Sequence, residues 1–397
     1  MNPRKIPLLL AVALTALLAG CGKKTETKAA ALVKVRFQTD WFPQPEHGGY
    51  YQALAKGYYA AEGLDVEILP GGPNAQVMTT VAVGRTDLGM TNGDDVIVAV
   101  ARGIPIKMVG AEMQRDPQGI LFHAEHPLRD LHDLQGKTVM AGAGSTWIQV
   151  LQKKIGVEFK LIPLVGDLAR FMNNPEFVQQ CFVTNEPFFA RQRGANVGAL
   201  LIASDTYEPY RVIFTSTEFL TKHPDVVGKF VRASIRGWVD YLSGDPAPAN
   251  RLLAAKRNDL TPEFMAYSIK AMNEYKLVSG DPAKGEWAGQ LKAERLQKQI
   301  ALLQEVGVLD KPVAVSDVAD FEFIPTRNLF RPESSRDVFK PNQRPLPVML
   351  SRAKNPAAWP WAIYGVESFA SLWTKDDSPS LRMLPRSRNL ASRAFRP

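Results

Sequence analysis

At 397 residues, with 45% hydrophobic and 22% charged content, the chain is long enough for two globular domains or lobes, and it lacks the periodicity of a collagen or coiled coil and the repeated apolar runs of a polytopic membrane protein. Two cysteines, Cys21 and Cys181, exclude a disulfide framework and a multi-thiolate metal site. The net charge of +8 resides in the ends, +4 in residues 1–31 and +7 in residues 330–397; residues 32–329 carry −3 and offer no footprint for nucleic acid.

Arg4 and Lys5 precede an apolar stretch, 8–18, that is too short to span a bilayer and has the charge order of a secretory signal. Residues 1–20 therefore read as a signal peptide. Leu18-Ala19-Gly20-Cys21 resembles the lipobox of bacterial lipoproteins, which implies a lipidated Cys21, an extracytoplasmic location and a membrane anchor. Residues 21–31 then form a polar tether, and Cys181, left without a partner, reads as a buried small hydrophobe.

Val33, Val35 and Phe37 alternate as one face of a strand. A helix over 50–56 is closed by Gly57, a strand follows at 65–69, and Asn74 can cap a helix running to Val83. Further strands are expected at 88–90, 106–109, 120–123, 138–141, 159–164 and 178–183. Strands alternating with helices specify an α/β fold with mainly parallel sheets. After Thr217 the pattern changes to consecutive helices over 224–242, 246–256, 262–275 and 286–306. Residues 330–397 hold nine of the 29 prolines together with Arg and Ser clusters, so little compact structure is expected there apart from an apolar island at 359–373.

Three blocks carry a family resemblance. The first is Asp40-Trp41-Phe42-Pro43-Gln44-Pro45-Glu46-His47-Gly48-Gly49-Tyr50-Tyr51, followed by Lys56-Gly57-Tyr58-Tyr59 and Glu62-Gly63-Leu64-Asp65-Val66. The second is Gly84-Arg85-Thr86-Asp87-Leu88-Gly89-Met90, and the third Asp133-Leu134-Gln135-Gly136-Lys137-Thr138-Val139. Over about residues 33–309 the chain resembles the solute-binding proteins that serve ABC importers of thiamine pyrimidine precursors, nitrate, sulfonates and taurine. Its opening block is most similar to the thiamine-pyrimidine branch. The resemblance implies a two-lobe, type II-like periplasmic binding protein with a hinge and an interlobe ligand cleft. Lobe 1 would comprise 32–113 and 208–329, lobe 2 residues 114–207, with 114–119 and 204–210 as the crossover segments.

A flat heteroaromatic ligand needs an aromatic face to stack on and a few polar groups to read its edge. Trp41 and Phe42 directly follow the first strand, at the carboxyl end where open α/β sheets place ligands. On the same loop or at a helix start, Glu46 can accept from an exocyclic amine or favour the helix N-terminus, and His47 can donate or accept. Adjacent helical residues point about 100° apart, so one of Tyr50 and Tyr51 belongs in the core, and Tyr51 is the ligand-side candidate. Asn92 ends a strand as a helix cap or a ligand contact. Gly144, Ser145 and Thr146 lie in a small-residue turn between a strand and a helix beginning near Trp147, suited to a polar oxygen or an anion. Glu186, extended before Pro187, can project into the cleft, or else serves as a helix-start charge, while Tyr207 can close over the ligand.

The expectation is a monomeric binding protein that captures a small-molecule solute and presents it to an ABC permease and its ATPase, with no cofactor, metal or nucleic acid. Within transport, the alternative solutes are a sulfonate, nitrate or another organic molecule; an extracytoplasmic sensor is a further alternative. The fold also resembles the fungal enzymes that make the thiamine pyrimidine from a protein histidine and pyridoxal phosphate with iron. Those carry a run of cysteines, where this chain offers only Cys181-Phe182, which argues strongly against synthesis and leaves a synthase-like enzyme as a second alternative beside the sensor. His123, His126 and His132 read as surface residues, and no nucleophile elbow or zinc helix motif is present.

Overall fold

The computed structural model describes residues 31–72, 75–142, 144–165 and 167–326. The expected signal peptide, Cys21, the cap Asn74 and the basic tail with its 359–373 island lie outside the described residues.

Val35 and Phe37 are buried on β1 (Val33–Gln38), and Leu64, Val66 and Ile68 alternate with exposed Asp65 and Glu67 on β2 (Leu64–Leu69). Between them lie α1 (Gly48–Ala55) and α2 (Tyr58–Ala61). Next come α3 (Val77–Ala82), β3 (Leu88–Asn92), α4 (Gly93–Ala101) and β4 (Ile106–Met113). A second group follows as β5 (Gln118–His123), β6 (Thr138–Ala141), α5 (Thr146–Gln149), β7 (Lys160–Pro163), α6 (Ala169–Met172), β8 (Val178–Phe182), α7 (Glu186–Gln192) and β9 (Val197–Leu201). The chain then returns as β10 (Arg211–Ser216) and continues through α8 (Thr217–Lys222), α9 (Pro224–Ser243), α10 (Ala247–Ala254), α11 (Pro262–Glu274), α12 (Ala293–Glu305) and α13 (Val315–Val318).

Two five-stranded sheets result, in the orders β2-β1-β3-β10-β4 and β7-β6-β8-β5-β9. The expectation of mainly parallel sheets is corrected: each sheet is mixed. β10 runs antiparallel between β3 and β4, and β5 runs antiparallel between β8 and β9. The chain leaves the first sheet at the carboxyl end of β4 and re-enters at that same edge, so β10 has to run backwards. The same geometry reverses β5.

β9 and β10 are absent from the sequence expectation. The run Val197-Gly198-Ala199-Leu200-Leu201 is short and glycine-broken, and β10 opens on a charged residue two positions after a proline. Among the later helices, the stretch expected from Glu286 begins at Ala293, because Gly289 takes φ +90° and its backbone bridges to Ala111 of β4.

Helices α1 and α9 pack against one face of the first sheet through glycines. A Cβ on Gly49 would collide with the Trp238 ring, and one on Gly237 would overlap the Gly49 carbonyl oxygen and stand 2.7 Å from Ala53 Cβ. This approach seals an aromatic core of Phe37, Tyr50, Tyr59, Phe230 and Trp238. It also corrects one site assignment: Tyr51 is buried in the same core, as is Tyr50, so neither ring faces a cleft.

Candidate functional site

Helix starts and strand connections from both sheets meet around a cavity of about 260 Å³. The first sheet contributes Asn92, the last residue of β3, with Asp94 and Asp95 in the first turn of α4. The second contributes Gly144, Ser145, Thr146 and Trp147 at the start of α5. The β4–β5 connection supplies Asp116, β5 supplies Gln118, and the β9–β10 connection supplies Tyr207. Five of the expected ligand residues, Asn92, Gly144, Ser145, Thr146 and Tyr207, are thus brought together.

The cavity is acidic. Asp94 is buried and accepts hydrogen bonds from the Tyr207 hydroxyl and Gln299 Nε2. Burial pushes its carboxyl up to about 7 although the Tyr207 bond opposes it. Asp95 accepts from Thr91 Oγ1 at 3.2 Å and is likewise raised by burial. Asp116 accepts the Gln118 amide at 2.8 Å through Oδ1. Its Oδ2 is buried with no hydrogen bond, and Arg211 Nη1 stands 3.7 Å away. Burial pushes Asp116 up to about 6 against the pull of Arg211.

Arg211 is the only buried Lys or Arg among the described residues. It sits at the first position of β10, which runs antiparallel, so it lies beside Asn92 at the carboxyl end of β3. Nη1 donates to Asn92 Oδ1 at 2.9 Å and Nη2 to Asp40, while the guanidinium stands 5.8 Å from the centre of the Phe182 ring. Burial alone would raise the Asp40 pKa, but Arg211 and His47 outweigh it and hold the carboxyl well below its usual range. Asp40 Oδ1 is 3.3 Å from His47 Nε2. Burial lowers the His47 pKa, so the ring is neutral at pH 7; with Nε2 donating to Asp40, Nδ1 is left as an unpartnered acceptor.

Glu46 and His47 stand at a helix start, in the short 3-10 turn Pro45–His47 that leads into α1, and both are buried. Glu46 accepts from Thr184 Oγ1, and burial pushes its carboxyl up to about 7. Neither residue lines the cavity. Trp41 and Phe42 do not line it either: they are 42% and 45% exposed, packed edge to face with ring centres 5.6 Å apart on the loop after β1.

Glu186 is a further correction. It opens α7, and its carboxylate turns back to accept the Phe182 amide at 2.7 Å, which makes it a helix-start charge rather than a projecting ligand group. His123 also departs from the expected surface position. It is buried, stacked on Phe171 at 4.1 Å between ring centres, with Nε2 2.9 Å from the Phe171 carbonyl oxygen. Among the described residues no group of three metal-ligating side chains is found, and no helix is long and apolar enough to cross a membrane. Cys181 is free and buried.

Asp94, Asp95, Asp116, Gln118, Trp147 and Arg211 are missing from the sequence expectation. The adjacent acids Asp94-Asp95, one glycine after Asn92, were a legible signal, since two carboxylates in one first turn exceed what a helix dipole needs. Arg211 before four apolar or β-branched residues was another.

The two connecting segments are held by one residue of α12. Arg295 donates to the carbonyl oxygens of Gln114 and Glu208, and its guanidinium lies 3.7 Å from the centre of the Tyr210 ring. Arg115 Nε donates to Glu208 Oε1 at 2.9 Å.

The chain is 26% identical over 353 residues to the riboflavin-binding protein RibY of Chloroflexus aurantiacus, covering 80% of this chain and 97% of that one. It is 24% identical over 330 residues to the formylaminopyrimidine-binding protein of Halalkalibacterium halodurans, covering 79% and 96%. Among solved structures, the alkanesulfonate-binding protein SsuA from Xanthomonas axonopodis pv. citri bound to MOPS superposes with a TM-score of 0.54 at 18% identity, over 74% of this chain and all of that one. The two-sheet α/β architecture is that of the periplasmic binding proteins. The family model described as NMT1/THI5 like matches residues 44–249, just over half of the sequence, and the chain belongs to that family.

Proposed function

We propose that the protein is the solute-binding component of an ABC importer, capturing a small heteroaromatic solute, most simply a thiamine pyrimidine precursor, by lobe closure. The observation that carries this reading is the cavity, whose walls come from both sheets and from both connections between them. A ligand touching all of these surfaces binds the closed arrangement better than an open one and shifts the population towards it. The closed form is then what a permease recognises. The names of the two relatives above, both binders of nitrogen heterocycles, support the solute class. Trp41 and Phe42, exposed at the carboxyl end of β1, supply aromatic faces that closure can bring over a ring. The lobes are assigned as 32–113 with 208–329, and 114–207. Binding rather than catalysis is the reading that the names of the two relatives support, both of them binding proteins.

The test is a thermal-shift screen of the leader-free chain against aminopyrimidines, flavin-like rings, sulfonates and nitrate. A ligand at a hundredfold excess over its Kd stabilises by about 2.7 kcal/mol, a shift of several degrees. A heteroaromatic hit that Trp41→Ala weakens is expected; shifts confined to sulfonates or nitrate would replace this reading with anion uptake.

Lipidation at Cys21 is part of the same proposal, resting on Leu18-Ala19-Gly20-Cys21. In a bacterial host the full chain is expected in the membrane fraction, and Cys21→Ser in the soluble fraction. Equal partitioning of the two would remove the anchor.

A further inference from the structure

The polar groups of the cavity are unbalanced in a way that specifies what must enter it. Asp94, Asp95 and Asp116 line the cavity, and Asp40 lies just behind it on Arg211. Against these four carboxyls stands one buried cation among the described residues, Arg211, whose terminal nitrogens bind Asp40 and Asn92, whose Nε is buried without a partner, and which does not itself line the cavity. Asp94 is saturated by Tyr207 and Gln299. Asp116, which also lines the cavity, is not: its Oδ2 is buried and bears no hydrogen bond. Asp95 has a single side-chain partner, the Thr91 hydroxyl. A second unpartnered group belongs to a residue that lines the same cavity from the other sheet, the buried indole Nε1–H of Trp147. A buried carboxylate without a donor is costly, as is a buried indole N–H without an acceptor, so the complement to this surface is a solute with a donor edge and an acceptor.

We propose that Asp116 and Asp95 are specificity-determining residues that take the amine or protonated ring nitrogen of the solute, with Trp147 Nε1 donating to an acceptor of the same molecule, and that the cavity rejects oxyanions. This rests on the solute-binding reading and deepens it. A sulfonate or nitrate placed here would meet the carboxylates of Asp94, Asp95 and Asp116 and no Lys or Arg among the residues that line the cavity. The hydroxyls of Ser145 and Thr146 either donate or accept and so do not oppose the selection. Asp116 also stands 3.7 Å from Arg211, joining the β4–β5 connection to the start of β10, so a solute cation seated on Asp116 links recognition to the segments on which closure turns.

Isothermal titration with an aminopyrimidine and the matching pyrimidinone, which replaces the amine by a carbonyl, tests this directly. The wild type is expected to prefer the amine by about tenfold to a hundredfold in Kd, the scale of one hydrogen bond to a charged group. In Asp116→Asn the carboxamide can donate to a carbonyl, so the preference should shrink or invert; Asp95→Asn is the second variant, read the same way if the first does not fold. Methanesulfonate and nitrate should give no heat. A ring solute that binds equally with and without its amine, or a preference unchanged in the Asn variants, overturns the selection while leaving the binding reading intact. Absence of heat with every ring solute overturns both.

Discussion

Replacing Arg211 by Met is expected to lower the unfolding free energy by about 3–5 kcal/mol at pH 7, the scale found when one partner of a buried ion pair is removed. Met keeps the length and apolar body of the side chain but leaves Asp40 without its strongest counter-charge and Asp116 without the cation 3.7 Å from its Oδ2. The acceptor Asn92 Oδ1 also loses its donor. The sign of the pH response separates this from simple loss of packing. In the wild type Asp40 is held below its unfolded pKa, so its contribution is fully present above about pH 4 and is lost as pH falls through the folded value. In the variant the same burial without Arg211 raises the carboxyls, and stability then rises as pH falls from 7 towards 4, because the folded state binds the extra protons. Urea unfolding at pH 7 and pH 5 should therefore show a gap between the two proteins that narrows at the lower pH. A gap below about 1 kcal/mol at pH 7, or one independent of pH, would mean that the arginine is not holding this cluster.

Gly237→Ala carries the second large effect. Alanine is favoured over glycine inside a helix by about 1 kcal/mol, so an exposed position would gain stability. At Gly237 the added methyl overlaps the Gly49 carbonyl oxygen and crowds Ala53, both fixed parts of α1, so the two helices have to separate across an aromatic core. Overpacking of this kind costs about 1–3 kcal/mol, and rigid backbone on the far side places the cost at the upper end. Gly228→Ala on the same helix is the control. Its Cβ would meet only the mobile end of Arg232 at 3.3 Å and the Phe323 ring at 3.4 Å. Melting curves should show Gly237→Ala losing several degrees while Gly228→Ala stays level or rises. Equal shifts would show that helix propensity, not the α1–α9 contact, sets the outcome.

Local pattern determined a good part of this protein. The alternation of Val33, Val35 and Phe37 and the apolar run from Ile106 are properties of neighbouring residues, and strands stand there. The strand-to-helix turns at Asn92 and at Gly144 to Thr146 were legible for the same reason, because a chain that ends a parallel strand and starts a helix places its backbone N–H groups and small polar side chains at the sheet's carboxyl edge. Those turns line the cavity. Their chemistry was not legible there. Arg211 meets Asp40 across 171 positions, Tyr207 meets Asp94 across 113 and Gln299 meets Asp94 across 205. Strand direction decided much of this: β10 runs backwards, which puts its first residue, not its last, beside Asn92 at the carboxyl end of β3. Helix packing decided the rest, drawing Tyr51 into the core, while Glu186 was turned onto the Phe182 amide at the start of α7. Periodicity reports which face of an element is apolar. Which charges end up sharing one cavity depends on how distant elements close around it, and that is settled by tertiary packing alone.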